Sequence, residues 1–166
     1  MTKAVWTGIA TAAVVVLIST SAFAQTTVNG AIGVTANVNA KAKLTLGTAA
    51  ISFADADPDV TAVMTATAFN IDVKARTSGA GNVTLTVVAS NDLTSGSDII
   101  AIGGLTWTVS GGGFQAGTSN KTTAQTVGSW TGSGNQSGSQ TYSLPNSWTY
   151  ATGTYTATLN YTLTVP

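Results

Sequence analysis

From Thr27 to Leu46 the chain alternates. Every second residue is apolar or glycine: Val28, Gly30, Ile32, Val34, Ala36, Val38, Ala40, Ala42, Leu44 and Leu46. The residues between them (Asn29, Thr35, Asn37, Asn39, Lys41, Lys43 and others) are mostly polar. Period-2 alternation sends the two sets to opposite faces of an extended chain, which predicts half-buried β-strand. At roughly 3.3 Å per residue such a strand would run on the order of 60 Å, whereas strands of about 3–10 residues are usual. One small domain cannot cover it. Either the segment breaks near Asn37–Asn39, or its first half pairs outside its own domain.

The rest of the chain reads as short strands between turn signals. Gly47 to Ala54 predicts a short strand around Ile51 and Phe53, and Asp55-Ala56-Asp57-Pro58-Asp59 a turn. Val60 to Arg76 alternates with a change of parity. Met64, Ala66 and Ala68 are even, Phe69, Ile71, Val73 and Ala75 odd, which places a bulge or a change of sheet near Ala68–Phe69. After a turn at Ser78–Asn82 come a strand at Val83, Leu85 and Val87, a loop at Asn91–Ser97, and Ile99–Ile102 before a Gly103-Gly104 turn. Leu105, Trp107 and Val109 line one strand face. Phe114 to Gly138 is polar, with Val127 and Trp130 as its candidate buried residues, one weak strand, and a long loop over Gly132–Ser139. Tyr142 and Leu144 form a short strand that Pro145-Asn146 ends. Beyond Gly153, Tyr155, Ala157, Leu159, Tyr161, Leu163 and Val165 alternate with Thr and Asn, so pattern and β-propensity agree. Eight or nine short strands predict an all-β, immunoglobulin-like β-sandwich.

The first 24 residues stand apart. Lys3, the apolar run Ile9–Ile18 and Ala22-Phe23-Ala24 before Gln25 have the form of a Sec signal peptide. Its removal leaves one domain of about 142 residues with no further membrane span. Composition narrows the function. The chain has 31 threonines, no cysteine, no histidine and no glutamate, and only 7% of it is charged, against about 25% in ordinary domains. A net charge of zero gives no electrostatic case for nucleic acid or an anionic membrane. An exported chain without cysteine draws its stability from packing or assembly. So few charges also leave strand edges open to pairing with other chains.

Catalysis has little to work with. Without histidine or cysteine the common bases and thiol nucleophiles are missing, and no cofactor motif is present. The chain reads as a non-enzyme with no catalytic residue. Asp55, Asp57 and Asp59 have the opening spacing of a calcium loop, but Val60 replaces its glycine and Ala66 its bidentate glutamate. A solvated acidic turn is the default, with a looser cation site as the alternative. Trp130 and Trp148 lie in loop-like sequence and are candidate sugar-stacking aromatics, while Trp107 is in phase with Leu105 and Val109 and reads as core.

The two ends of the mature chain suggest a mechanism. An alternating N-terminal segment fused to a cysteine-free sandwich suits β-strand addition, in which an extended segment fills a groove in another subunit. Residues 25–38 are then a donor strand and 39–166 the sandwich. Val28, Ile32, Val34 and Val38 are the inserted side chains, with Gly30 where the groove floor approaches the backbone. A head-to-tail contact of this kind does not close on itself and builds a fibre.

Thr27–Val38 directly after Ala24, and the ending Gly153-Thr-Tyr-Thr-Ala-Thr-Leu-Asn-Tyr-Thr-Leu-Thr-Val-Pro166, resemble exported pilins assembled by donor-strand exchange. These are the chaperone–usher fimbrial subunits and their spore-coat-U-type relatives. The resemblance implies an incomplete immunoglobulin-like fold and a homopolymeric surface filament (a fimbria serving attachment or biofilm). It also implies a periplasmic chaperone and an outer-membrane usher as partners, and an acceptor groove flanked by the last strand, hence by Tyr155, Ala157, Leu159, Tyr161, Leu163 and Val165. Many such subunits carry a disulfide that this chain cannot form, and cysteine-free biofilm-matrix fibres fit the same pattern. The alternative is a complete, monomeric secreted module that binds carbohydrate through Trp130 or Trp148.

Overall fold

The computed structural model describes residues 26–166. The signal-peptide reading of residues 1–24, and Gln25, lie outside the described residues. The chain divides into two units, Met1–Ala36 and Asn37–Pro166. The second holds every strand found among the described residues.

Its architecture follows from two strands whose patterning is unambiguous. In β3 (Phe69–Arg76) the inward residues Phe69, Ile71 and Val73 are buried, and in β4 (Asn82–Ala89) so are Val83, Leu85, Val87 and Ala89. The two follow each other in sequence but belong to different sheets, so the apolar face of each has the other to cover it. One sheet runs β1 (Lys41–Leu46), β3, β10 (Gly134–Pro145), β7 (Thr106–Ser110) and β8 (Gly117–Thr118), with β2 (Val63–Thr65) also paired to β10. The other runs β11 (Leu159–Thr164), β4 and β9 (Gln125–Thr131). A hairpin of β5 (Leu93–Ser95) and β6 (Asp98–Ile100) stands separately. All pairings between these strands are antiparallel. The fold is an all-β sandwich. Among the described residues the helical content is one 3₁₀ turn, Ile102–Gly104, and no helix is long and apolar enough to cross a membrane.

Trp107 and Tyr142 fill the middle of the core, ring centroids 5.9 Å apart, and Tyr142 stacks on Phe69 at 6.3 Å. The Trp107 indole N–H donates to the Gln115 carbonyl at 2.8 Å, so the one polar atom of that ring is satisfied.

Several expectations are corrected. The segment read as a polar loop at Gly132–Ser139 is, from Gly134 on, the first half of β10, the longest strand among the described residues, which pairs with β3 over Gly134–Gln140 and with β7 over Ser139–Ser143. The ladder to β3 over Gly134–Gln140, joined by that to β7 from Ser139 onward, overrides the weak propensity of Gly, Ser, Asn and Gln. Gly138 has a specific reason to be there, because a Cβ would collide with the Ser110 carbonyl and the Phe114 ring. The parity change at Ala68–Phe69 is an interruption within one sheet. β2 and β3 both pair with β10, at Ser143–Pro145 and Gly134–Gln140, and Ala66 N–H bonds the Tyr142 carbonyl at 2.9 Å between them. Gly47–Ala54 is not a strand, although Ile51 and Phe53 do pack on the core. The expected loop Asn91–Ser97 contains β5. The last strand is regular only from Leu159, with Thr156 joined to Thr94 by an isolated bridge. Thr27–Leu46 forms regular strand only over its last six residues, β1.

Candidate assembly interface

The two sheets do not cover each other along one side. Inward residues of the central strands are fully buried: Ile71 and Leu85 are both 0% exposed. On the edge strands the corresponding residues are only half-buried, Leu44 and Leu46 on β1 and Leu159, Tyr161 and Leu163 on β11. β1 is the edge of the first sheet and β11 the edge of the second. Between the elements that follow β1 and precede β11 lies a cleft of about 1160 Å³. Leu46, Ile51, Phe53, Met64, Leu93, Ile100 and Leu144 line one part of it, and Tyr155, Ala157, Leu159 and Tyr161 another. Apolar side chains on an unpaired edge are what a further strand would cover.

Of the six predicted groove residues, Tyr155, Ala157, Leu159 and Tyr161 line this cleft, while Leu163 and Val165 lie outside it but pack on the core. Sequence reasoning missed the rest of the lining. Its one available signal was Ile51 and Phe53, two large apolar residues two apart in an otherwise small and acidic stretch.

The floor of the cleft contains a polar cluster. Tyr161 reaches from β11 across the core, donates its hydroxyl hydrogen to Gln140 Oε1 at 2.7 Å, and lies 2.7 Å from the Tyr142 hydroxyl. Gln140 is completely buried and its Nε2 has no protein partner. Burial pushes the Tyr142 hydroxyl up from 10.0 to about 12, partly offset by its hydrogen bonds. Tyr161 is raised further, by burial first and then by the neighbouring Tyr142. Both phenols stay neutral at any physiological pH, and the pair ties the edge strand to the opposite sheet.

The N-terminal segment forms no strand over residues 26–40. Val28, Ile32, Val34 and Val38 are 88, 92, 90 and 68% exposed, and nothing approaches within 4 Å of where a Gly30 Cβ would stand.

The other candidates separate. Asp55, Asp57 and Asp59 sit in the turn expected of them, and among the described residues no group of three or more acidic, histidine or cysteine side chains gathers as a metal site. Asp57 Oδ1 instead accepts the Asp59 N–H at 2.9 Å, an Asx turn. Trp130 is half-buried, edge-on to Phe114 with centroids 4.9 Å apart, and its N–H donates to the Gly112 carbonyl at 2.9 Å. Trp148 is 69% exposed and donates to Asp59 Oδ1 at 3.1 Å.

No protein-family model matches this chain, and neither does any curated protein. Among solved structures it is similar to the P pilus rod subunit PapA, at 17% identity over 74% of this chain and 99% of that one, with a TM-score of 0.37. A likeness at that level assigns no function, so the geometry has to carry one.

Proposed function

We propose that this chain is the structural subunit of an extracellular filament, polymerising head to tail by strand complementation. The N-terminal segment of one copy lies in the cleft of the next, between the chain that follows β1 and the chain that precedes β11, and covers the apolar side chains exposed there. The observation that carries this reading is a matched pair of deficits in one chain. Half-buried apolar residues flank an open cleft, and a separate segment presents alternating apolar residues to solvent. Each exposes what the other would cover. Burying the four donor side chains at about 1.5–3 kcal/mol each contributes on the order of 6–12 kcal/mol per joint before entropy costs. That is comparable to the stability of a whole small domain.

In this reading the filament is displayed at the cell surface after Sec export, serves attachment or biofilm, and has copies of the chain as its partners. A periplasmic chaperone and an outer-membrane usher would act on the exposed cleft before assembly. The test is an unheated detergent gel of the native material, on which interlocked subunits run as a ladder that boiling collapses to one band. Deleting Gln25–Thr35 should abolish the ladder. A truncated protein that is a stable monomer with an unchanged melting temperature, beside a full-length chain that never forms a ladder, would refute the proposal. The sugar-binding alternative retains support from one residue, the exposed Trp148. Glycan binding lost on Trp148→Ala would favour it.

A further inference from the structure

Beyond the strand joint, we infer that successive subunits meet body to body through opposite electrical poles, the cationic corner of one copy against the acidic turn of the next. This inference rests on the filament reading.

The charges of this sparsely charged chain are not scattered. Beyond residue 25 there are five cations: Lys41, Lys43, Lys74, Arg76 and Lys121. Four of them converge on the outer face of the β1–β3 ladder, where Lys41 stands directly opposite Arg76 and Lys43 opposite Lys74. All four are exposed. Like charges placed opposite each other weaken a strand pair, so the sheet itself gains nothing from this arrangement. Asp72 shares the face, hydrogen-bonded by the Ser137 hydroxyl at 2.6 Å, and leaves the corner strongly positive. Lys121 is engaged elsewhere, in an ion pair with Asp92.

The acidic pole is equally one-sided. Asp55, Asp57 and Asp59 occupy one turn, with no cation from Gly47 to Ala62 or from Asn146 to Thr158. The Asn146 amide pins that turn just past the end of β10, donating to the carbonyls of Ala56 at 2.9 Å and Thr61 at 3.1 Å. At the other end of β10, Gly134 pairs with Ala75, next to Arg76. The poles are therefore separated by the twelve residues of β10, on the order of 40 Å at the rise of an extended chain.

This axis has a direction that fits assembly. The N-terminal segment joins the body at Lys41, so the donor emerges from the cationic corner. Asp55, Asp57 and Trp148 line the cleft, so the acceptor carries its acidic turn at one mouth of the groove. A donor segment entering from that mouth brings the positive corner of its own body against the negative turn of the acceptor. The occupant of each pole is a second copy of this chain. Complementary poles speed encounter and fix which end of the groove is entered.

The experiment is assembly of the mature full-length chain on release from denaturant, followed by light scattering and electron microscopy. The wild type should assemble about tenfold faster in about 20 mM than in about 500 mM NaCl, where charges are screened within a few ångströms. Lys43→Glu/Lys74→Glu and Asp55→Lys/Asp59→Lys each set like charge against like, so in low salt each should assemble at or below the high-salt rate, and an equimolar mixture of the two, in which opposite poles can meet again, should recover much of the lost rate. Melting curves of each unassembled variant check that folding is retained. Filaments whose rate ignores both salt and charge reversal overturn this inference and leave the strand joint standing. So does slowing of both variants that their mixture does not rescue. A wild type that forms no filament overturns both.

Discussion

Parity along the N-terminal segment is the sharpest consequence of strand complementation. Ile32 is 92% exposed in the subunit, so Ile32→Ala removes no contact from the folded monomer and should move its stability by no more than about 0.5 kcal/mol. In the proposed filament the same side chain would enter the core of the neighbouring sandwich, where truncating Ile to Ala costs about 2–5 kcal/mol. At about 1.4 kcal/mol per decade, dissociation of the filament should accelerate at least about thirtyfold if most of that cost falls on the bound state. Thr35→Ala is the control, because Thr35 belongs to the opposite face of the same extended segment. Its effect should stay within about 0.5 kcal/mol in both monomer and filament. The assay is the guanidinium midpoint of filament dissociation, read on unheated gels beside the thermal midpoint of the monomer. Equal effects of Ile32→Ala and Thr35→Ala on the filament, or a fall in the monomer midpoint from Ile32→Ala alone, would refute the reasoning.

Other perturbations probe the sandwich itself. Gly138→Ala drives a Cβ into the Ser110 carbonyl and the Phe114 ring, and should cost about 1–3 kcal/mol in chemical denaturation. Tyr161→Phe removes the hydroxyl that donates to buried Gln140 Oε1, and should cost about 1–3 kcal/mol by the same measurement. The folded-state pKa of Tyr142 is raised, from 10.0 to about 12, so the stability tied to its neutral form is complete below pH 10. It is lost as pH climbs from 10 through 12, a slope that Tyr142→Phe should flatten in melting curves taken across that range. Asp92 behaves in the opposite sense. The Ile102 N–H, and then Lys121, hold its carboxyl below the usual carboxylate range, so its stabilisation is present above about pH 4 and fades as acid protonates it. Asp92→Asn should remove that part of the acid sensitivity of the melting temperature.

How much of this molecule could be read from its residues differs strand by strand. β4 and β11 were legible because Val83, Leu85 and Val87, and Leu159, Tyr161 and Leu163, alternate with polar neighbours, and period 2 is a property of the extended backbone itself. Trp107 was placed in the core by its phase with Leu105 and Val109. β10 was not legible. Its inward face is Gln136, Gly138 and Gln140 before it becomes Tyr142 and Leu144, and nothing local marks Gly-Asn-Gln-Ser-Gly-Ser-Gln as strand. The cleft was half legible, since the last strand announced its alternation while Ile51 and Phe53 lie on irregular chain brought there by packing.

The alternation of side chains therefore decided by itself that this is a two-faced β protein with an apolar-striped leading segment, because that periodicity needs no partner to exist. Which strands became neighbours was decided only in three dimensions. A ladder with β3 can recruit glycine and glutamine through their backbone groups, and a side chain's exposure depends on which edge its strand occupies. The convergence of Lys41, Lys43, Lys74 and Arg76 on one corner belongs to the same class, a product of antiparallel register between segments some thirty residues apart.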